Sequence, residues 1–390
     1  MSDSFSLSSS LHAHFGDLDD PRVEGRCAHQ LFDIVVIALF AVLAGAEGWD
    51  AMETYGKAKE TWLATFLSLP NGIPSHDTFR RVLSRLDPIQ LEARFQDWVG
   101  SLLHRLGAKV VAIDGKTLRG SYDREHKLKA LQMVSAWCTE HRLVLGQTPV
   151  DSKSNEITAI PILLEQLDLT GTIVTIDAMG TQTAIAQQIR EAQADYILAL
   201  KGNQGNLQAR AKNWFEAFEQ ENCTSELLVD HYQGVESGHH RIERRSCWVF
   251  QASDVFPNSV GQSWSGLQSV VVIRSQRQLW NRTTCETRFF LSSLNVDAET
   301  FTGLIRSHWE IENNLHWCLD VVFGEDASRI RTQNAAHNLS ILRRLALNLL
   351  RQHSGKGSLK MKRYRAGLDN DFLLEILSAS LPQTLTQSAF

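Results

Sequence analysis

The chain has 390 residues, of which 43% are apolar and 21% charged, a composition typical of a soluble globular protein of two or three domains. Its formal net charge is −5, so DNA binding, if it occurs, has to depend on local basic surfaces. Six scattered cysteines without a C-x-x-C pair argue against zinc fingers and a disulfide framework, and they fit a reducing cytoplasm. We find neither a signal-peptide pattern nor an apolar run long enough to span a bilayer, so we expect a cytoplasmic protein.

The first predicted domain, residues 1–105, is helical. Ser75 is a good N-cap for a helix over 76–86, on which Arg80 and Arg81 lie opposite the apolar positions. A short turn followed by a capped, arginine-bearing helix resembles the second half of a helix-turn-helix, which would bind DNA. The alternative is an amphipathic helix with a solvated basic face.

The next segment, residues 106–223, predicts an α/β fold with a mixed sheet covered by helices, because three strand-like segments precede an alternation of helix and strand. The predicted strands are 109–113, 130–138, 142–150, 172–176 and 195–200. Residues 224–295 are rich in strand patterns and are predicted to be a β-rich insertion. Residues 296–390 return to helix and are predicted to complete the core.

Two aspartates, Asp114 and Asp177, stand at the ends of apolar strands. Side chains at the carboxyl ends of neighbouring parallel strands converge, and open α/β sheets place their sites there. Either aspartate alone is equally typical of a strand-end turn. Together they predict a shared site, in which converging carboxylates would bind a hard cation such as Mg²⁺.

A third carboxylate is expected from the segment 307–320, which is dense in tryptophan, histidine and acid. Spacing by four places His308, Glu312, His316 and Asp320 on one stripe of a helix. A solvated polar stripe would explain the charge but not the aromatic residues. A zinc site formed by the two histidines and Glu312 is an alternative, although the H-E-x-x-H pattern is absent.

Five segments resemble those of the H-repeat-associated insertion-sequence transposases of bacteria, which belong to the DDE superfamily. They are 113–121, 175–182, 200–204, 308–317 and 319–329. The resemblance implies a ribonuclease-H-like core, with the first Asp on the first strand, the second Asp after the fourth strand and a Glu on a late helix. It assigns these catalytic and metal-binding roles to Asp114, Asp177 and Glu312.

The sequence departs from the wider superfamily around the late helix. Ile305, His308 and Leu319 stand where a Tyr, an Arg and a Lys are usual. We therefore expect His308, Lys116 or Arg119 to take over phosphate contact. The reserve candidates for the third carboxylate are Glu310, Glu325 and Asp326.

The chain from Arg329 to Arg365 contains ten basic residues and no acid. Such a stretch could neutralise several phosphates and make binding steeply salt-dependent. We expect DNA contact here, beginning with Arg329 and Arg331, and the alternative is a solubilising basic segment beside a packed helix.

The resemblance implies an enzyme that cuts and joins DNA by two-metal phosphoryl transfer with two Mg²⁺ ions, for which Mn²⁺ may substitute. Its partners would be double-stranded DNA, at the terminal inverted repeats and the target, and a second copy of the chain in a homodimer or larger synaptic complex. We expect it to associate with the nucleoid. The alternatives are a DNA-binding relative without catalysis and a metal-dependent nuclease that cuts without joining.

Overall fold

A computed structural model describes residues 11–23, 25–107, 109–123, 129–151, 154–220, 229–238 and 241–380. The strands in these ranges are β1 (Val110–Leu118), β2 (Leu131–Cys138), β3 (Leu143–Pro149), β4 (Ile173–Ile176), β5 (Asp195–Leu200), β6 (Asp230–Gly238), β7 (Arg241–Gln251), β8 (Ser269–Gln278) and β9 (Thr283–Ser292).

Helices cover both the first hundred residues and the C-terminal part of the chain. Those preceding β6 are α1 (Leu31–Ala44), α2 (Trp49–Leu63), α3 (His76–Arg85), α4 (Pro88–Leu106), α5 (Glu156–Glu165), α6 (Thr183–Glu191) and α7 (Gly205–Gln220). Those following β7 are α8 (Ala252–Val255), α9 (Asn258–Ser263), α10 (Ala298–His308), α11 (Trp317–Val321), α12 (Ala335–Gln352), α13 (Leu359–Leu368) and α14 (Asn370–Ser380).

The strands form one nine-stranded sheet in the order β3-β2-β1-β4-β5-β9-β8-β7-β6. β1 is antiparallel to β2 and parallel to β4, and β4 is parallel to β5. The predicted mixed sheet flanked by helices is confirmed, and its first and fourth strands lead to the two aspartates as a ribonuclease-H-like core requires. The strands predicted as a β-rich insertion extend this same sheet, because β9 pairs with β5.

Helix α1 is the core helix of the N-terminal region. Nearly all of its side chains are buried, including the acidic Asp33, which fits a sequence that is apolar on all sides. The helix ends where Gly45 adopts a left-handed conformation with φ 113°. Within the described ranges, no helix by itself has the length and apolar composition needed to cross a membrane, although α1 and α2, bent by 98°, meet these two criteria as a pair.

Helix α3 begins where the sequence predicts. The Ser75 hydroxyl accepts a hydrogen bond from the Thr78 amide at 3.4 Å, and the helix runs from His76 to Arg85. Its apolar face is buried, while Arg80 and Arg81 are exposed. Arg80 forms an ion pair with Asp77 at 2.9 Å, so part of the basic face is already neutralised.

Candidate active site

The two aspartates come at matching positions of β1 and β4, since the register of these parallel strands pairs Ile113 with Ile176 and each aspartate follows by one residue. Asp177 directly follows β4, as predicted. The prediction that a strand ends before Asp114 is wrong, because β1 continues to Leu118 by pairing with β2. The apolar residues before them fill the core and thereby fix where the two carboxylates emerge. The convergence expected from the strand pattern is therefore present in the backbone.

The helical segment after β9 crosses this end of the sheet. Asp297 caps α10 by accepting a hydrogen bond from the Thr300 amide at 2.7 Å. After α10, a π-helical turn covers Ile311–His316 and leads into α11. Such wide turns are rare and are frequently found at functional sites.

Side chains of the predicted polar stripe contact residues of β4 and β1 one after another along the chain. His308 is hydrogen-bonded to the Thr175 hydroxyl on β4 at 2.9 Å. Further along, His316 approaches Asp114, and Asp320 forms an ion pair with Lys116 on β1 at 2.6 Å. His308, His316 and Asp320 therefore lie along β4 and β1, whereas Glu312 in the same stripe is exposed.

Asp114, Glu312 and His316 form a compact cluster. Each offers one ligand atom, and these atoms lie within 4.8 Å of one another. Nδ1 of His316 is 3.5 Å from Asp114 and 3.4 Å from Glu312. The Glu312 side chain is 64% exposed and that of Asp114 24% exposed, so the cluster opens to solvent on the side of Glu312.

The electrostatics of the cluster favour an added positive charge. Burial raises the pKa of Asp114 to about 7, and the charges of Glu156, Asp177 and Glu312 push it in the same direction. Burial lowers the pKa of His316 to about 3, so its imidazole is neutral at pH 7 and does not compensate these acids. A neutral imidazole beside two carboxylates is a donor set that a divalent cation can use.

Asp177 does not belong to the compact cluster. Its carboxylate accepts hydrogen bonds from the Ala178 amide at 2.5 Å and from Lys201 at 3.1 Å. Although burial opposes ionisation, these hydrogen bonds bring the pKa of Asp177 below its ordinary value. The sequence indicated Lys201 only as a turn residue, and its ammonium supplies the positive charge next to this carboxylate.

Lys116 is enclosed by acids instead of facing DNA. It is 7% exposed, and its ammonium lies 3.0 Å from Asp326 and 3.9 Å from Glu325 in addition to its contact with Asp320. Glu325 also pairs with the buried Arg344 at 3.0 Å. The expectation that Lys116 contacts phosphate does not fit this geometry, because its charge is already neutralised within the protein.

The reserve candidates for the third carboxylate have other partners. Glu325 is fully buried in its ion pair with Arg344, and Asp326 binds Lys116. Glu310 accepts a hydrogen bond from Asn314 at 3.3 Å. Among these acids and Glu312, only Glu312 approaches Asp114 to form the compact cluster.

The other predicted phosphate contacts differ in exposure. Burial lowers the pKa of His308 to about 4, so it is neutral at pH 7 and offers no charge to a phosphate. The Arg119 side chain is 82% exposed and only 3.4 Å from Asp326, and Arg329 is exposed. Arg331 donates to the Gly120 carbonyl at 3.2 Å and stacks over Tyr122.

The expected DNA contact of the basic segment from Arg329 to Arg365 does not fit part of that segment. Four of its ten basic residues are buried: Arg343, Arg344, Lys362 and Arg363. Arg363, for example, donates to the Val42 carbonyl of α1 at 2.7 Å. These side chains join helices to one another, because their stems pack among apolar residues and buried carbonyl and carboxylate oxygens accept from their head groups.

A cavity of about 200 Å³ opens beside Asp177 and Lys201. Apolar side chains from β5, β9 and α10 line much of it, and the Arg288 guanidinium stacks over the Trp309 ring at its edge, 4.8 Å from the ring centre. Sequence reasoning did not find this cavity, since it depends on β9 pairing with β5 across 90 residues of chain.

Comparison with known families identifies the family of the chain. A model described as the transposase DDE domain matches residues 105–349, and one described as DDE_Tnp_1-associated matches residues 12–99. The chain belongs to the DDE transposase family. The first match contains the two aspartates and Glu312, and the second contains helices α1 to α3.

Two relatives that match nearly the whole chain are named as putative transposases. "Putative transposase YncI" of Escherichia coli O157:H7 is 40% identical over 95% of both chains. "H repeat-associated putative transposase YhhI" of Escherichia coli strain K12 is 38% identical over 95% of this chain and 98% of its own. A solved piggyBac transposase synaptic complex with hairpin DNA covers all of this chain and 84% of its own, at 10% identity. Its TM-score of 0.34 is too low to indicate a shared fold.

Proposed function

We propose that this chain is the transposase of a bacterial insertion sequence, which cuts and joins DNA strands at the ends of its own element. Asp114, Asp177 and Glu312 would be the catalytic carboxylates. The observation that supports this most strongly is the gathering of Asp114, Glu312 and the neutral His316 within 4.8 Å, next to the strand that leads to Asp177. The acids of this cluster lack a compensating protein charge among the described residues.

The donor set fits divalent cations. Asp114 and Glu312 would hold one ion with help from His316, and Asp177 would share in holding a second. Bound Mg²⁺ or Mn²⁺ would activate the attacking oxygen, from water or a DNA 3′-hydroxyl, and stabilise the leaving oxygen. The raised pKa of Asp114 is consistent with a carboxylate whose ionised form a bound cation would stabilise.

The remaining groups of the site would position DNA. Lys201 is half-exposed and lies 3.1 Å from Asp177, so it can exchange this carboxylate for a phosphate when a cation takes its place. Arg119, which lies 3.4 Å from Asp326, and Arg329 offer exposed positive charges. Arg80 and Arg81 on α3 would supply more distant contacts to double-stranded DNA.

The experiment that tests this function combines purified protein, labelled terminal-repeat DNA and Mg²⁺ or Mn²⁺. Joined products are expected, assembled by a homodimer or a larger synaptic complex. Nicks without joining would indicate a nuclease instead. Retention of the DNA without nicking, at any divalent cation concentration, would indicate a binding protein and contradict the proposal.

A further inference from the structure

Four neighbouring strands extend beyond the edge of the sheet at which the candidate active site lies. Strand β5 ends at Leu200, which pairs with Phe289 of β9, whereas β9 begins six residues earlier, at Thr283. Strands β8, β7 and β6 stay paired in series with β9 over this extension. We call residues 235–238, 241–245 and 275–288 the arm.

The arm leaves the protein core as it passes this edge. In β8, residues 269–273 are buried and residues 276–278 are exposed. Strand β9 shows the same change, from the buried 289–292 to the exposed 283–286. At its inner end, the arm contributes side chains to the wall of the cavity beside Asp177. The arm therefore runs from the candidate active site out into solvent.

The turn at the outer end of the arm exposes a tryptophan. The Leu279 amide donates a hydrogen bond to the Arg282 carbonyl at 2.8 Å, so Trp280 and Asn281 occupy the two central positions of a tight turn. Trp280 is 91% exposed. Tryptophan combines a large apolar surface with a rigid ring, and it is enriched among the residues that contribute most to binding a partner. The turn therefore presents an apolar contact that a partner can bury.

The arm is positively charged in a chain whose formal net charge is −5. It contains six arginines and three glutamates, and neither lysine nor aspartate. Each of the glutamates pairs with at least one arginine. Arg244 and Arg282 are both exposed, and neither forms an ion pair with any described residue. Unbalanced arginines beside an exposed aromatic ring suit a nucleic acid, which offers phosphates and bases together.

The length of the arm corresponds to a short stretch of duplex. The register of β4, β5 and β9 places Phe290 level with Asp177, the residue after β4. Eight residues separate Phe290 from Arg282, about 27 Å at the usual rise, and B-DNA of that length has about eight base pairs. Thr284, at an even spacing from Phe290, faces the cavity side of the sheet, and so does its partner Arg277.

We propose that the arm binds double-stranded DNA beside the active site, with Trp280 and Arg282 making the outermost contacts about eight base pairs from the phosphate at Asp177. The arginines would contact phosphates, and Trp280 would pack against sugars or base edges. A two-stranded ribbon such as the β8–β9 hairpin fits the major groove. This inference rests on the proposed function, because it assumes that DNA is cut beside Asp177.

The test is fluorescence anisotropy with labelled terminal-repeat duplexes in EDTA, which measures binding without cleavage. The duplexes are shortened stepwise from each end toward the cleavage position. For one of the two ends, shortening from about 12 to about 4 base pairs should weaken binding by the unsubstituted chain about 10-fold or more. Trp280→Ala should bind the long duplex about 5- to 10-fold more weakly and the short duplex with unchanged affinity.

Two further variants are matched to this substitution. Trp280→Phe keeps an aromatic ring and should retain affinity for the long duplex within about twofold. Ile162→Ala removes an exposed apolar side chain from α5 and should leave both affinities unchanged. Because Trp280 is exposed in a turn, the thermal midpoint of Trp280→Ala should stay within about 1 °C of the unsubstituted protein.

The outcomes separate the arm from the active site. Equal binding of the long duplex by Trp280→Ala and the unsubstituted chain would overturn the inference alone. The same result with a shift from dimer to monomer in sedimentation would assign the tip to contact between two copies of the chain, which also overturns it. Failure of the unsubstituted chain to bind duplexes of any length would instead contradict the proposed function.

Discussion

Two clusters of charged side chains are centred on Lys116 and Asp114, which lie two residues apart on strand β1. The clusters differ in how the charges of their acids are balanced. Around Lys116, three acids (Asp320, Glu325 and Asp326) surround a buried ammonium, and Arg344 and Arg343 approach Glu325 at 3.0 and 4.0 Å, so three cations balance three acids. Around Asp114, the compact cluster with Glu312 contains, among the described residues, only the neutral imidazole of His316. The cluster around Lys116 is an ion-pair network that joins residues 320–326 to the sheet.

The difference shows which acids can take part in chemistry. A carboxylate whose charge is balanced within the protein contributes to folding, and a cation from solvent gains little by approaching it. Carboxylates that repel one another at a solvent-exposed strand end gain strongly from such a cation. On this criterion, Glu312 is a better third carboxylate than Glu325 or Asp326, although all three are close in the sequence.

The largest effect on strand cleavage is expected from a substitution in the cluster around Asp114. Asp114→Asn should lower strand cleavage by about 1000-fold or more, equivalent to about 4 kcal/mol of activation free energy, because it removes a ligand common to the whole cluster. A gel assay for nicking of terminal-repeat DNA measures this. Binding of the same DNA should be retained, and full cleavage by the variant would refute the assignment.

A pair of substitutions on the same helical segment separates two neighbouring glutamates. Glu312→Gln should abolish cleavage, whereas Glu310→Gln should leave it within about threefold of the unsubstituted chain, a change of less than 1 kcal/mol. The reason is that Glu310 binds Asn314 and takes no part in the cluster. Equal loss of cleavage in both variants, or loss of cleavage only in Glu310→Gln, would contradict the assignment of Glu312 as the third carboxylate.

A substitution in the cluster around Lys116 should change the stability of the protein. Lys116→Met removes the central cation, and we expect a loss of about 2–3 kcal/mol in the free energy of unfolding. This lies below the usual cost of breaking a fully buried pair, because Asp320 and Asp326 keep contact with water.

Urea unfolding measures that loss. Lys212→Met, which breaks an exposed pair with Glu216 on α7, is the control and should cost less than about 1 kcal/mol. A Lys116→Met protein as stable as the control would mean that the acids near residue 116 are not held by this cation.

The smallest effect is expected for Arg119, whose exposed charge lies at the edge of the cluster around Lys116. Arg119→Ala should weaken DNA binding a few-fold, uniformly across sequences, and reduce the salt slope by about one. Fluorescence anisotropy at several salt concentrations measures both. Lys57→Ala on α2, whose lysine pairs with Glu53, should leave the slope unchanged, and no change for Arg119→Ala would remove this residue from the DNA surface.

The sequence was most informative where local pattern and chemistry coincide. The run 109–113 before Asp114 is apolar and β-branched, and the four-residue spacing from His308 to Asp320 is directly visible, so both the apolar part of β1 and the polar stripe could be predicted. The end of β1 was misplaced, because residues 115–118 are held in the strand by pairing with β2. The π-helical turn did not disturb the stripe, since His316 still lies 3.4 Å from Glu312.

Prediction failed where a residue's role depends on distant packing. Arg344 and Arg363 look like DNA-binding residues in a basic stretch, but their partners Glu325 and Val42 come from other elements. Lys201 was missed for the same reason, because nothing near it in the chain indicates that it lies next to Asp177. Charge alone does not reveal whether a side chain faces solvent.

The continuity of the nine-stranded sheet sets a fixed distance within the molecule. Five steps between neighbouring strands separate β4, which leads to Asp177, from the outer strand β6, or about 24 Å at the usual spacing. Unbroken pairing of this kind does not stretch. A molecule bound to the outermost strands would therefore stay at a constant separation from Asp177, a length equal to about seven base pairs of DNA.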